Sequence, residues 1–183
     1  MQDEHLVQLR VQLRRRFDVR VDHEHVVRRH DDLGSRVPAV LLRAPERLHH
    51  LLRLRDHQDS TGGFLAFVPL AFHPENTVFE RRGFRFTTGA DDLKVIAVSR
   101  LLLDNIPNVK AYWIMMGLPL AQVALHFGAN DVQGTVVREE IFHAAGARTE
   151  TEQKIPELVR FVTAAGRIPV QRDTLYNELH RWA

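Results

Sequence analysis

From Pro45 onward the chain alternates short, nearly continuous apolar runs with segments of helical period, joined by short turns. This alternation restricts the fold more than any other feature. A short run that is apolar at almost every position fits a strand covered on both faces, and such strands are parallel ones joined by crossover helices. Three runs qualify, namely Phe64 to Phe72, Val109 to Gly117 and Asp131 to Val137. Pro69 belongs at a bulge or an end of the first, because proline cannot donate to a ladder.

The segments between them carry helix signals. Pro45 suits a first turn, Leu48, Leu51, Leu52 and Arg55 recur at three- and four-residue spacing, and Gly62-Gly63 ends that helix. Thr88-Gly-Ala-Asp91 reads as a capping box, opening a helix predicted to reach about Ile106 and to bury Leu93, Ile96, Ala97, Leu101 and Leu103 before Pro107 stops it. Leu120 to Phe127 is a short helix closed by Gly128, and further helical segments are expected around Ile141, from Ile155 to Ala165, and near Asp173.

Residues 1–43 differ in character. They are dense in Arg, Asp, His and Val, with no sustained apolar period, and read as a polar helix followed by an irregular tail. The division is therefore 1–43 as a poorly ordered segment and 44–183 as the folded part. The loss of coherence near Ala44 fits a frameshift or a misassigned start upstream; a genuine extension is the alternative.

Charge and cysteine content narrow the function classes. Net charge is only +2, with acidic residues interleaved among basic ones, so no positive field invites nucleic acid. No run approaches a membrane span and the amino terminus begins polar, which makes a cytoplasmic protein the expectation. The complete absence of cysteine excludes disulfides, thiolate metal sites and cysteine nucleophiles in this chain.

A series of short runs, in one order, carries a resemblance. It comprises Leu51-Leu-Arg-Leu-Arg55, Thr61-Gly-Gly-Phe64, Pro69-Leu-Ala-Phe-His-Pro-Glu-Asn-Thr77, Ile96-Ala-Val-Ser-Arg-Leu-Leu-Leu-Asp-Asn-Ile-Pro107 and Val109-Lys-Ala-Tyr-Trp113. Ala121-Gln-Val-Ala-Leu125, Phe127-Gly-Ala-Asn-Asp131, Gly134-Thr-Val-Val137 and Arg172-Asp-Thr-Leu-Tyr176 complete it. From Pro45 to Trp182 the chain thereby resembles the carboxy-terminal part of aminofutalosine synthases, radical S-adenosylmethionine (radical-SAM) enzymes of the futalosine route to menaquinone. The dehypoxanthine futalosine cyclases and FO synthases share the Leu-Asp-Asn-Ile-Pro and Gly-Ala-Asn-Asp runs. The His73-to-Thr77 and Lys110-to-Trp113 runs favour the aminofutalosine synthases over these sisters.

The resemblance implies an α/β fold, the last three strands of a TIM-type (β/α) barrel, whose complete form takes about 250 residues. It implies a transferase that joins the 5′-deoxyadenosyl group of S-adenosylmethionine to the enol-ether carbon of 3-[(1-carboxyvinyl)oxy]benzoate, losing the substrate carboxyl to give aminofutalosine. It also implies a [4Fe-4S] cluster on a CxxxCxxC loop in the amino-terminal half. Histidines do not replace the soft thiolates of such a loop, so this chain alone is expected to be inactive. Half a barrel also exposes strand edges, which predicts self-association or a cysteine-bearing partner chain that would make this one a non-catalytic half-barrel.

Active sites of such barrels lie at the carboxy-terminal ends of the strands. That rule selects His73, Glu75, Asn76 and Thr77 after the first strand, Trp113 on the second, and Gly134, Thr135 and Glu139 on and after the third. His73 is the candidate catalytic group, able to polarise a carboxylate or relay a proton; otherwise it caps nearby backbone. Glu75, Asn76 and Thr77 are candidate substrate or S-adenosylmethionine contacts, or shape the turn after Pro74. Trp113, Tyr112, Met115 and Met116 divide between ligand contact and packing. Gly134 allows either close approach of a ligand or a bulge. Glu139 meets substrate or a helix dipole. Asn130 and Asp131, ahead of the third strand, and Arg172-Asp173 near the end are expected to be structural. No metal-ligand set is expected among these residues.

Overall fold

The computed structural model of the protein describes residues 8–11, 44–135 and 153–182. Within them the elements run β1 (Gln8–Val11), α1 (Ala44–Thr61), β2 (Ala66–Phe67), α2 (Val78–Arg81), α3 (Gly89–Leu102) and β3 (Asn108–Ala111). They continue with α4 (Trp113–Met116), α5 (Leu118–Ala124), β4 (Asp131–Val132), α6 (Ile155–Ala164), β5 (Pro169–Arg172) and β6 (Glu178–Arg181). One sheet holds all six strands in the order β2-β3-β4-β1-β5-β6. The protein is therefore of mixed α/β class.

The three apolar runs are adjacent parallel neighbours. Ala66 and Phe67 pair with Asn108 and Val109, and Lys110 and Ala111 pair with Asp131 and Val132. β3 is buried along its whole length, as a central parallel strand should be. Val109, Ala111 and Val132 pack beneath Ile96 of α3, Ala121, Ala124 and Leu125 of the α5 region, and Leu158 and Val162 of α6. A second cluster joins Leu51 and Leu52 of α1 to Leu102, Leu103 and Ile106. Each such Val, Leu or Ile side chain removed from water contributes about 1.5–3 kcal/mol.

Caps and ties fix the register of these elements. Thr88 caps α3, its hydroxyl accepting from Asp91 N at 3.2 Å while donating to the Asp91 carboxylate at 2.7 Å. Those bonds hold the Asp91 carboxyl below its usual range. Asn130 joins β3 to β4: its Oδ1 accepts from Val109 N and from Arg100 Nη2, and its Nδ2 donates to Pro107 O. Gly128 has φ 109°, and a Cβ there would lie 2.7 Å from Arg100 Cβ, so this turn needs glycine on two counts.

Several expectations are corrected. The paired part of the first run is only Ala66–Phe67; beyond it Pro69 has no N–H to offer. The second strand ends at Ala111, and Trp113–Met116 is a helical turn instead of its continuation, because Trp113 swings into the core and Gly117, at φ 78°, breaks the path before α5. α5 accordingly begins at Leu118, ahead of Leu120. α3 stops at Leu102, where Leu103 N bonds Ser99 O, and Asn105 donates to Arg55 O at 2.8 Å and Asp59 at 2.7 Å, anchoring the turn to α1. The buried face consequently includes Leu102 and leaves Leu101 42% exposed.

Two larger corrections concern the chain's ends. Gln8–Val11, expected to be helical or irregular, is a strand paired antiparallel with both β4 and β5. The backbone groups along the β4 and β5 edges find partners in it. The segment near Asp173, expected to be a helix, turns back between β5 and β6. Asp173 caps this turn, accepting from Leu175 N at 2.9 Å and from Asn177 N at 2.8 Å, which diverts an aspartate from helix capping to hairpin closure. The third run is likewise a strand only at Asp131–Val132, residues 133–135 following without strand structure; residues 136–137, the helix around Ile141 and most of residues 1–43 lie outside the described residues.

Candidate active site

β2 and β3 end on the same side of the sheet, and there the walls of α1 and α3 stand apart from it. A cavity of about 330 Å³ opens between them. Leu51, Phe67, Pro69, Ile96 and Met115 form an apolar body, and Arg47, His50, Thr87, Asp92 and Tyr112 bring polar groups to it. Its size and lining suit a small organic ligand held by a few directed polar contacts. Burial pushes the Asp92 carboxyl above its usual range, opposed by the Thr87 hydrogen bond and by Arg47.

The residues singled out from the sequence occupy other positions. His73 is nearly buried on its side chain, with Nε2 3.8 Å from Glu75 Oε2 and its ring edge-on to Phe86 at 5.1 Å. Asn76 adopts a left-handed φ of 57°, and its N–H donates to Glu80 at 2.8 Å. Thr77 caps α2, accepting from Phe79 N at 3.1 Å and donating to Pro74 O at 2.6 Å. These bonds make 74–80 a self-contained turn with His73 and Glu75 at its entrance. Trp113 is 1% exposed, and its Nε1 donates to Gln133 O at 2.7 Å, tying the end of β3 to the residues after β4. Gly134 is buried and Thr135 partly so, immediately beyond that bond. Glu139 lies outside the described residues.

None of the described residues in that set lines the cavity, whereas Tyr112, Met115 and Met116 do. The helical turn at Trp113–Met116 accounts for this, since an unbroken strand would alternate these side chains across the sheet. Arg47, Thr87 and Asp92 lie on or before the first turns of α1 and α3, and His50 on the second turn of α1. Helix starts packed over strand ends were the available signal for them.

A second polar group occupies the face of the sheet opposite the helices. Asp131 is fully buried and accepts two bonds from Arg172, at 2.9 and 2.8 Å, and one from the Tyr176 hydroxyl at 2.9 Å. Lys110 Nζ lies 3.4 Å from the same carboxylate and 3.2 Å from Gln133 Oε1. The Arg172 guanidinium stacks 3.6 Å from the Tyr176 ring centroid, and Tyr176 itself takes a φ of 67° to reach it. Burial holds the Lys110 ammonium below the usual lysine range, and the attraction of Asp131 only partly offsets this. The expected structural roles of Asp131 and Arg172 thus converge in one buried ion pair.

Residues 61–182 match the model of the CofH/MqnC C-terminal region. The chain belongs to this family. It is 50% identical over 139 residues to the aminodeoxyfutalosine synthase of Thermus thermophilus, covering 75% of this chain and 37% of that protein. It is 47% identical over 137 residues to the 5-amino-6-(D-ribitylamino)uracil–L-tyrosine 4-hydroxyphenyl transferase of Methanothermobacter thermautotrophicus, covering 73% of this chain and 37% of that one. A transferase of the same name from Methanopyrus kandleri is 42% identical over 162 residues, 84% of this chain and 44% of its own length. The chain thus spans less than half the length of these relatives, and its resemblance to the carboxy-terminal part of aminofutalosine synthases is borne out.

Radical-SAM membership implies an iron–sulfur cluster in complete enzymes. The donor set here does not fit one. The sequence has no cysteine, and among the described residues no three His, Asp or Glu side chains gather where a metal could be held. No helix among the described residues is long and apolar enough to cross a membrane.

Proposed function

We propose that this chain is the carboxy-terminal wall of a TIM-type radical-SAM barrel that joins the 5′-deoxyadenosyl group of S-adenosylmethionine to 3-[(1-carboxyvinyl)oxy]benzoate, giving aminofutalosine for menaquinone biosynthesis. The observation that carries this reading is the 50% identity to the Thermus aminodeoxyfutalosine synthase over three quarters of the chain. The parallel order β2-β3-β4, with crossover helices on one face, supports the barrel wall. Lacking cluster ligands, the chain is inactive alone; its residues bind, orient and shield substrate. His73 is the proposed catalytic group, paired with Glu75 and sheltered by Phe86, with a proton or a substrate carboxylate as its partner. Glu75, Asn76, Thr77, Gly134, Thr135 and Glu139 are proposed substrate contacts, and Trp113 positions the segment bearing Gly134 through its bond to Gln133. The working environment is proposed to be the cytoplasm.

A transplant tests this. Residues 45–182 replace the matching stretch of the Thermus synthase, and the purified chimera is assayed anaerobically by mass spectrometry. Aminofutalosine is the expected product, and His73→Gln in the chimera should lower turnover by roughly 10²–10⁴. The 47% identity to the Methanothermobacter enzyme favours a second reading, transfer of a 4-hydroxyphenyl group from tyrosine to a ribitylaminouracil. A chimera that makes that product and no aminofutalosine would replace the first reading with the second.

A further inference from the structure

The proposed substrate contacts gather around the 73–77 turn and the end of β4, and the cavity between α1 and α3 stands apart from them. It lies on the helix-bearing face of the sheet, where Phe67, Tyr112 and Met116 pack against Ile96 and its neighbours. Two of its properties select a ligand. Its body is apolar: Leu51, Phe67 and Ile96 meet Met115 and Met116, whose unbranched side chains adapt to the shape they enclose. Water finds few polar partners against such a lining, which favours an apolar ligand over solvent. Its charged groups share the helix wall, Arg47 and His50 from α1 and Asp92 from the start of α3, whereas the exit of β2 from Phe67 to Ala71 offers apolar side chains alone.

An apolar molecule with one anionic group answers both properties. A guanidinium is a cation at every working pH and binds a carboxylate in a fixed fork, and an imidazole beside it adds a further donor. Asp92 opposes such a ligand only while it is ionised. Lining the cavity with it are Arg47, His50 and Tyr112, and beside it stand Thr87 and Asp91. Burial, helped by Asp91, holds its carboxyl above the usual range against the Thr87 hydrogen bond and Arg47, and an arriving anion pushes the same way. Once protonated, Asp92 becomes a hydrogen-bond donor to the ligand it would otherwise repel.

We propose that this cavity is a second ligand site, distinct from the His73 turn, that takes an apolar monocarboxylic acid, its carboxylate on Arg47 and its apolar body between Phe67, Ile96 and Met115. Binding is read on this chain without turnover, so the site stands or falls apart from the barrel reading above.

The full 183-residue chain is titrated with 2-naphthoate by isothermal calorimetry, up to millimolar concentration. Saturable one-to-one binding is expected, and the uncharged isostere 2-naphthamide should bind about tenfold more weakly or worse. Arg47→Gln should weaken 2-naphthoate by about tenfold or more, with Arg47→Lys in between. Met115→Trp, which fills the apolar body, should abolish binding. Asp92→Asn, a donor without charge, should tighten it severalfold. Arg160→Gln, at an exposed cation on α6, should leave it unchanged. Circular dichroism confirms that each variant is folded. The proposal is overturned by absence of saturable binding, by equal affinity for the acid and the amide, by affinity indifferent to Arg47→Gln or Met115→Trp, or by binding that Asp92→Asn fails to tighten.

Discussion

The parallel strands β2, β3 and β4 and the antiparallel strands β1, β5 and β6 lie in one sheet but are held by different forces. The parallel region is clamped by apolar contact, with Val109, Ala111 and Val132 under Ile96, Leu125 and Leu158. The antiparallel region meets it across a polar knot, in which Asp131 at the head of β4 takes Arg172 and Tyr176 from the β5–β6 hairpin. Apolar burial is nondirectional and tolerates small shifts. A buried carboxylate with two cations and a phenol is directional and tolerates none. The hairpin's place is therefore set by a few polar atoms and the wall's by many apolar ones.

The sharpest way to break this contrast is Asp131→Ala. It strands Arg172 and Lys110 without their carboxylate and should cost about 3–5 kcal/mol in urea unfolding, with amide exchange rising first in β5 and β6. A loss spread evenly over the sheet would refute the division. Ile96→Ala should cost about 2–5 kcal/mol, with faster exchange in β3 and α3 and the hairpin least affected. Tyr176→Phe removes one bond to a charged acceptor and should cost about 1.5 kcal/mol, again local to the hairpin. Thr88→Ala uncaps α3 on the apolar side and should cost about 1 kcal/mol, leaving hairpin exchange unchanged.

The smallest effect is in pH dependence. The folded Lys110 ammonium loses its proton below the usual 10.5, so in the window just below 10.5 the unfolded chain binds more protons and stability rises with pH. Lys110→Met should flatten that rise in a pH series of unfolding midpoints. An unchanged slope would show that the knot does not hold a strained lysine.

Much of the parallel region was legible in the residues themselves. The three apolar runs, the start of the first helix at Pro45 and the Thr88 cap are local signals and appear where they were expected. Strand lengths were not legible, since an apolar run reads the same whether paired, as at Ala66–Phe67, or folded into a helical turn, as at Trp113–Met116. The antiparallel region does carry a local signal for β1, because Val7, Leu9, Val11 and Leu13 alternate with polar residues at the period of a strand. That alternation is short and sits in a stretch otherwise dense in charge, which hides it. For the candidate site, the strand-end rule located His73 and its turn but not the cavity, because Arg47, His50 and Asp92 come from helices whose spacing from the strands is a matter of packing.

The order of helices and parallel strands, their caps and the want of any thiolate were decided by the sequence alone, because period, capping chemistry and residue type are properties of short stretches. Only the tertiary structure decided that residues 8–11 join 131–132 to 169–172, that Asp131 is the ion pair's centre, and that β2 stands at the end of the sheet among the described residues. Those partners lie far apart along the chain, and their pairing depends on which edges and buried charges remain unsatisfied once the local elements have packed.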